Sequence, residues 1–155
     1  MEHKTQGPFA LRRLVVDTNV QMQIQLKGHE PGETAATTVL VVEDDASLRL
    51  LCRLNLELER YRVLEAGTVD HAAELLTQEP VDVVLLDLHV AGRHGTELLS
   101  VIKAERPQAS ICLLSGTSET DPPLEEGVDA FVRKPFEIEH LNATVRRLSS
   151  LALDR

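Results

Sequence analysis

The stretch VDVVLLD (81–87) decides the fold, because a short and nearly continuous apolar run ends in an acid, Asp87. A run of this kind is typical of a parallel β-strand that is covered on both faces. Similar short runs, separated by stretches with helical spacing, occupy 39–42, 61–66, 110–115 and 130–134. This regular β–α alternation predicts an α/β fold, with an open five-stranded parallel sheet between two layers of helices.

The intervening stretches carry apolar residues at helical spacing, and each such stripe predicts the apolar face of a helix. The stripes are Leu48, Leu51, Leu54 and Leu58; Val69, Ala72, Ala73 and Leu76; Leu98, Val101 and Ile102; and Ile138, Leu141, Val145 and Leu148. Pro122 and Pro123 interrupt the stretch before the last strand, and proline is tolerated only in the first turn of a helix. The fourth helix is therefore predicted to be short, beginning near Pro122 and ending by Gly127.

Composition disfavours several classes of function. The chain has 155 residues, a net charge of −9 and only 3% aromatic residues, which disfavours binding to a nucleic-acid backbone or stacking on bases. No apolar run approaches the roughly 18 residues that span a bilayer, and the N-terminus lacks a secretory signal. Cys52 and Cys112 lie far apart in apolar segments, as expected of reduced thiols. We expect a cytoplasmic protein without membrane insertion.

Residues 1–38 differ from the rest and are predicted to be an N-terminal extension and linker, with the folded domain at 39–155. Alternating apolar residues between Val20 and Leu26 suggest a single strand, which either pairs with another segment or stays disordered. HEPGETAATT (29–38) has the composition of a flexible linker.

Polar residues follow the ends of four predicted strands: Glu43 and Asp44, then Asp87, Ser115 and Lys134. Ligands bind beyond the carboxyl ends of strands in an open parallel sheet. Clustered carboxylates suit Mg²⁺, and a carboxylate can also be a nucleophile that forms an aspartyl phosphate. A lysine and a hydroxyl can neutralise and bind the phosphoryl oxygens.

Each of these residues also has a simpler explanation. Asp44 and Asp45 suit the cap of a helix that begins near Ala46. Ser115 and Lys134 are also ordinary loop and surface residues. The argument depends on their joint position at the strand ends of one sheet.

The sequence resembles the response-regulator receiver family of two-component signalling, whose domains are CheY-like. The resemblance covers roughly 39–152 and rests on VLVVEDDASLRLL, VDVVLLDLHVAGRHGTELL, ICLLSGTS and AFVRKPF. It implies a doubly wound sheet with the flavodoxin-like strand order 2-1-3-4-5. In that order the first and third strands are neighbours.

The resemblance also implies the roles of individual residues. Asp87 resembles the phosphoacceptor, Asp44 a direct Mg²⁺ ligand, and Glu43 an acid that acts on the metal. The backbone carbonyl of His89 resembles a further metal ligand.

Ser115 resembles the switch hydroxyl, Lys134 the lysine that neutralises the phosphate, and Phe131 the aromatic residue that changes rotamer on activation. The bond before Pro135 resembles the family's cis peptide.

The loop DLHVAGRHG (87–95) departs from the usual D-x-x-x-P-G-x-D/N-G pattern. Ala91 replaces the proline, so we expect a less stiff loop. His89 and His94 occupy positions where other side chains are commoner, and the proline-bearing 117–127 region is expected to alter the family's output face.

These observations together predict a phosphoacceptor rather than an enzyme. Asp87 would take a phosphoryl group from a histidine kinase or a histidine phosphotransfer protein, and the domain would then switch its contacts with a downstream protein partner. Since the chain ends at Arg155, we expect a stand-alone regulator. The alternatives are a phosphorylation-independent adaptor and a phosphatase-like enzyme, although such enzymes usually have an acid where this chain has His89.

Overall fold

The computed structural model describes residues 35–116 and 126–155. Those from Ala36 onward belong to one compact unit. The extension and strand predicted within residues 1–34 lie outside the described residues. So does most of the short helix predicted between Pro122 and Gly127. These features, and the domain boundary, stay predictions.

Strands and helices alternate along the described chain. The strands of the main sheet are β1 (Thr38–Val42), β2 (Arg62–Ala66), β3 (Val83–Asp87), β6 (Ser110–Ser115) and β7 (Ala130–Arg133). A small hairpin is formed by β4 (His89–Val90) and β5 (Arg93–His94). The helices are α1 (Ala46–Leu58), α2 (Val69–Gln78), a 3₁₀ turn (Gly95–Leu98), α3 (Leu99–Glu105) and α4 (Ile138–Leu153).

The main sheet has five parallel strands in the order β2-β1-β3-β6-β7. The hairpin of β4 and β5 forms a separate sheet, so β6 and β7 are the fourth and fifth strands of the main sheet. The predicted order 2-1-3-4-5 is therefore confirmed. The register pairs Val42 with Leu86, the residues just before Glu43 and Asp87. The sheet therefore brings these two acids to the same edge.

Helices cover both faces of the sheet. On β1, Leu40 and Val42 pack with α2 and α3 on one side, while Val39 and Val41 pack with α1 and α4 on the other. All four residues are fully buried, which explains the continuous apolar runs that predicted the strands. None of the helices described is long and apolar enough to cross a membrane.

The apolar face predicted for α1 was wrong at three of its four leucines, Leu51, Leu54 and Leu58, and correct at Leu48. The helix packs through Leu48, Cys52 and Leu56, while Leu51 and Leu58 are 48% and 63% exposed. Both sets have helical spacing, since leucines occupy two sides of this helix. The pattern alone did not distinguish the buried side from the exposed side.

Candidate functional site

Three carboxylates meet at the carboxyl edge of the sheet. Glu43 directly follows β1, and Asp87 is the last residue of the neighbouring strand β3. Ligand oxygens of Glu43, Asp44 and Asp87 lie within 4.8 Å of one another. Glu43 and Asp87 are only 1% and 6% exposed, whereas Asp44 is exposed. The cluster therefore has two buried carboxylates, and it is open to solvent on the side of Asp44.

Lys134 places a cation between the two buried acids. It follows β7 directly, and its Nζ lies 2.5 Å from Glu43 Oε2 and 2.9 Å from Asp87 Oδ2. Burial raises the pKa of Glu43, and the hydrogen bond from Lys134 only partly opposes this effect. Burial alone would lower the pKa of Lys134, but its bonds to the two acids outweigh that effect and raise it. Lys134 thus stays charged at neutral pH.

Local hydrogen bonds fix the acids that follow β1. Asp45 caps α1, since its side chain accepts from the backbone N–H groups of Ser47 and Leu48. The capping explanation is therefore correct for Asp45. Glu43 Oε1 accepts from the Asp45 N–H at 3.0 Å, and Arg49 Nη1 donates to the Glu43 carbonyl at 2.7 Å. The sequence gives no sign of the role of Arg49, because a contact between a side chain and a backbone atom has no sequence motif.

The β4–β5 hairpin lies against Asp44 and Asp87 through backbone N–H groups. The His89 N–H donates to Asp87 Oδ1 at 3.2 Å, and the Ala91 N–H donates to Asp44 Oδ2 at 3.0 Å. The bond from Ala91 holds the pKa of Asp44 below its ordinary value. Ala91 and Gly92 have φ of +50° and +81°, the conformation of a tight two-residue hairpin turn. Proline, whose φ is locked near −65°, cannot adopt the φ of Ala91.

Gly95 packs against the backbone of Asp87. A Cβ added at Gly95 would lie 1.9 Å from the Asp87 carbonyl oxygen, closer than any side chain can approach. Its N–H donates to the Leu88 carbonyl at 2.8 Å. Gly95 is the final glycine of the D-x-x-x-P-G-x-D/N-G pattern, and the close approach explains why this position needs a glycine.

The remaining predicted residues lie on the last two strands of the sheet. Ser115 ends β6, is buried, and its carbonyl accepts from the Lys134 N–H at 2.6 Å. Phe131 in β7 is half-buried and packs against the aliphatic core. The Lys134–Pro135 peptide bond is cis.

The residues present fit Mg²⁺, because three hard oxygen donors converge at one point beside an open side. The ammonium group of Lys134 already bridges two of these carboxylates, so the cluster accommodates positive charge. The role predicted for the His89 backbone carbonyl, as a further metal ligand, stays a prediction.

A model of the response regulator receiver domain matches residues 39–146. The chain belongs to this family. Receiver domains are signalling domains, so the coarse functional prediction is confirmed.

Two similar proteins each match part of this chain. The chain is 32% identical over 114 residues to the hydrogenase transcriptional regulatory protein HoxA of Cupriavidus necator, and 34% identical over 111 residues to a cyclic di-GMP phosphodiesterase of Thermotoga maritima. These matches cover 71% and 70% of this chain, but only 23% and 30% of the relatives. The chain therefore spans less than a third of each of these two proteins.

Solved structures support the fold. A CheY-like receiver domain from Methanospirillum hungatei superposes with a TM-score of 0.71 at 24% identity, over 78% of this chain and all of that chain. The response regulator TrrA of Thermotoga maritima, solved in complex with Mg²⁺ and BeF, gives a TM-score of 0.66 at 28% identity, over 72% of this chain and 98% of that chain.

Proposed function

We propose that this receiver domain accepts a phosphoryl group on Asp87 from a phosphohistidine of a sensor kinase or a histidine phosphotransfer protein. The observation that carries the proposal is the convergence of Glu43, Asp44 and Asp87 with Lys134 at one edge of the sheet. A carboxylate nucleophile needs neighbouring positive charge to approach a phosphoryl group, and Lys134 supplies it.

Glu43, Asp44 and Asp87 would hold Mg²⁺, with the His89 backbone carbonyl as a further ligand. When bound, Mg²⁺ would supply charge neutralisation for the phosphoryl oxygens. Asp87 Oδ2 already contacts Lys134, and Asp87 Oδ1 accepts from the His89 N–H. These two contacts hold the Asp87 carboxylate in one orientation.

The proposed output is a shift between two packings of β6 and β7. Ser115 lies at the end of β6, and its carbonyl is joined to the backbone of Lys134. A phosphoryl group on Asp87 would draw the Ser115 hydroxyl towards it as a donor. Phe131 would then move into the space beside it and change the surface for a downstream protein.

The experiment is treatment of the full chain with a small acyl phosphate and Mg²⁺, followed by intact mass measurement. We expect the mass gain of one phosphoryl group, and no gain when Mg²⁺ is chelated. Asp87→Asn should abolish the gain, while Asp129→Asn, at an acid elsewhere in the fold, should retain it. Equal labelling of Asp87→Asn and the unsubstituted chain would remove Asp87 from the role.

A second measurement separates this proposal from the phosphorylation-independent adaptor. The free energy of unfolding should rise with Mg²⁺ concentration, because the metal binds only the folded cluster. Asp44→Asn should reduce this stabilisation. A free energy of unfolding that does not change with Mg²⁺ concentration would instead support the phosphorylation-independent adaptor.

A further inference from the structure

His89 and His94 face each other across the β4–β5 hairpin. They are register partners, both are exposed, and their ring centroids lie 5.2 Å apart. The neighbouring pair, Leu88 and Gly95, is joined by a backbone hydrogen bond. The histidines therefore occupy the non-hydrogen-bonded position of an antiparallel ladder, where opposite side chains come closest.

The charged side chain of the hairpin, Arg93, lies on the face opposite the two histidines. Side chains alternate along a strand, so Val90 and Arg93 point to the side opposite the imidazoles. Val90 is buried, and Arg93 pairs with Asp70 at 2.8 Å and with Glu97 at 2.7 Å. Within residues 35–116 and 126–155, neither imidazole has a hydrogen-bond or ion-pair partner. Both rings are available to a ligand from solvent.

The backbone of the hairpin is held in place by the acid cluster. The His89 N–H is bonded to Asp87, and the Ala91 N–H is bonded to Asp44. Two imidazoles on a fixed hairpin lose little freedom when they bind one ion, and the second contact is then intramolecular. Imidazole nitrogen selects Zn²⁺, Ni²⁺ or Cu²⁺ over Mg²⁺, which prefers oxygen.

We propose that the imidazoles of His89 and His94 chelate a transition-metal dication, for which Zn²⁺ is the probe. The ligands of this site are imidazole nitrogens, whereas those of the carboxylate cluster are oxygens, although the two sites share one loop. Water would complete the coordination, since both side chains are exposed.

The test is calorimetric titration of the full chain with Zn²⁺ in saturating Mg²⁺, which keeps the carboxylates occupied. We expect one Zn²⁺ per chain, and at least about tenfold weaker binding for His89→Gln and for His94→Gln, because either change removes the two-point contact. His71→Gln, at an exposed histidine on α2, is the matched control and should bind as the unsubstituted chain does.

Proton NMR of the six histidine rings locates the ion independently. Zn²⁺ should shift the ring signals of His89 and His94, which the two variants identify, and leave the signals of the other histidines unchanged. Unchanged affinity in His94→Gln, shifts confined to other histidines, or no binding to the unsubstituted chain would each overturn the proposal. None of these outcomes bears on phosphorylation of Asp87.

Discussion

Replacing Gly95 by alanine puts a methyl group into the space that the Asp87 carbonyl occupies. The added Cβ would lie 1.9 Å from that oxygen, and the contact must lengthen by about 1.1 Å to reach 3.0 Å, below which real Cβ contacts essentially never fall. The oxygen belongs to the backbone, so no side-chain rotation relieves the clash. Gly95 itself is tied to Leu88, whose N–H is bonded to Leu114 in β6.

The cost follows from this rigidity. Overpacking a well-packed site costs about 1–3 kcal/mol, and we expect Gly95→Ala to lie at the upper end, near 3 kcal/mol. Urea unfolding should then show a midpoint lower by at least about 1 M. A displacement of roughly 1 Å at the proposed nucleophile should also slow labelling of Asp87 by an acyl phosphate, by about 100-fold.

Gly116→Ala is the matched control. Its added Cβ would meet Lys134 no closer than 3.7 Å, which is ordinary van der Waals contact. We expect its urea midpoint and labelling rate to match those of the unsubstituted chain. If Gly95→Ala and Gly116→Ala behaved alike in both assays, the close approach to Asp87 would not be a real constraint.

Three further substitutions or conditions test the physical account of the site and the core. Lys134→Met leaves buried carboxylates without their cation and should lower the free energy of unfolding by about 3 kcal/mol in metal-free buffer, with partial recovery in Mg²⁺; an unchanged urea midpoint would contradict this. Ala91→Pro forces φ from +50° to near −65° and removes the N–H bonded to Asp44, so thermal unfolding should show a loss of about 1–3 kcal/mol, whereas Ala91→Gly should be tolerated; the reverse ranking would contradict the hairpin geometry. Burial raises the pKa of Cys52 to about 11 and of Cys112 to about 12 from an ordinary 9.0. Above pH 9 the unfolded chain therefore releases thiol protons that the folded chain keeps, and stability should fall by about 1.4 kcal/mol per pH unit for each thiol up to about pH 11; a double Cys→Ala variant with the same slope would disprove this.

The parts of the fold that sequence predicted best are those where one pattern has one explanation. The buried strands are continuous apolar runs in the sequence, because helices cover both faces of the sheet. A polar residue that directly follows such a run therefore marks the end of the strand. The expected convergence of Asp44 and Asp87 followed from strand order, which came from the family resemblance rather than from periodicity.

Other features left weaker signals. Leucines lie on two sides of α1, so periodicity could not say which side is buried. The β4–β5 hairpin was missed because its turn is Ala91-Gly92, without the Asn-Gly or Asp-Gly pair that usually marks such turns. The contacts of Arg49 and of the Ala91 N–H involve one backbone partner each, and spacing in sequence does not reveal such contacts.

The measurement that tests the central claim most directly is identification of the labelled residue. An acyl phosphate on aspartate is reduced by borohydride to homoserine, which peptide mass spectrometry can locate. After treatment with a phosphodonor and Mg²⁺, we predict homoserine at position 87 and nowhere else in the chain. Homoserine at position 44 or at any other acid, with position 87 unmodified, would contradict the account.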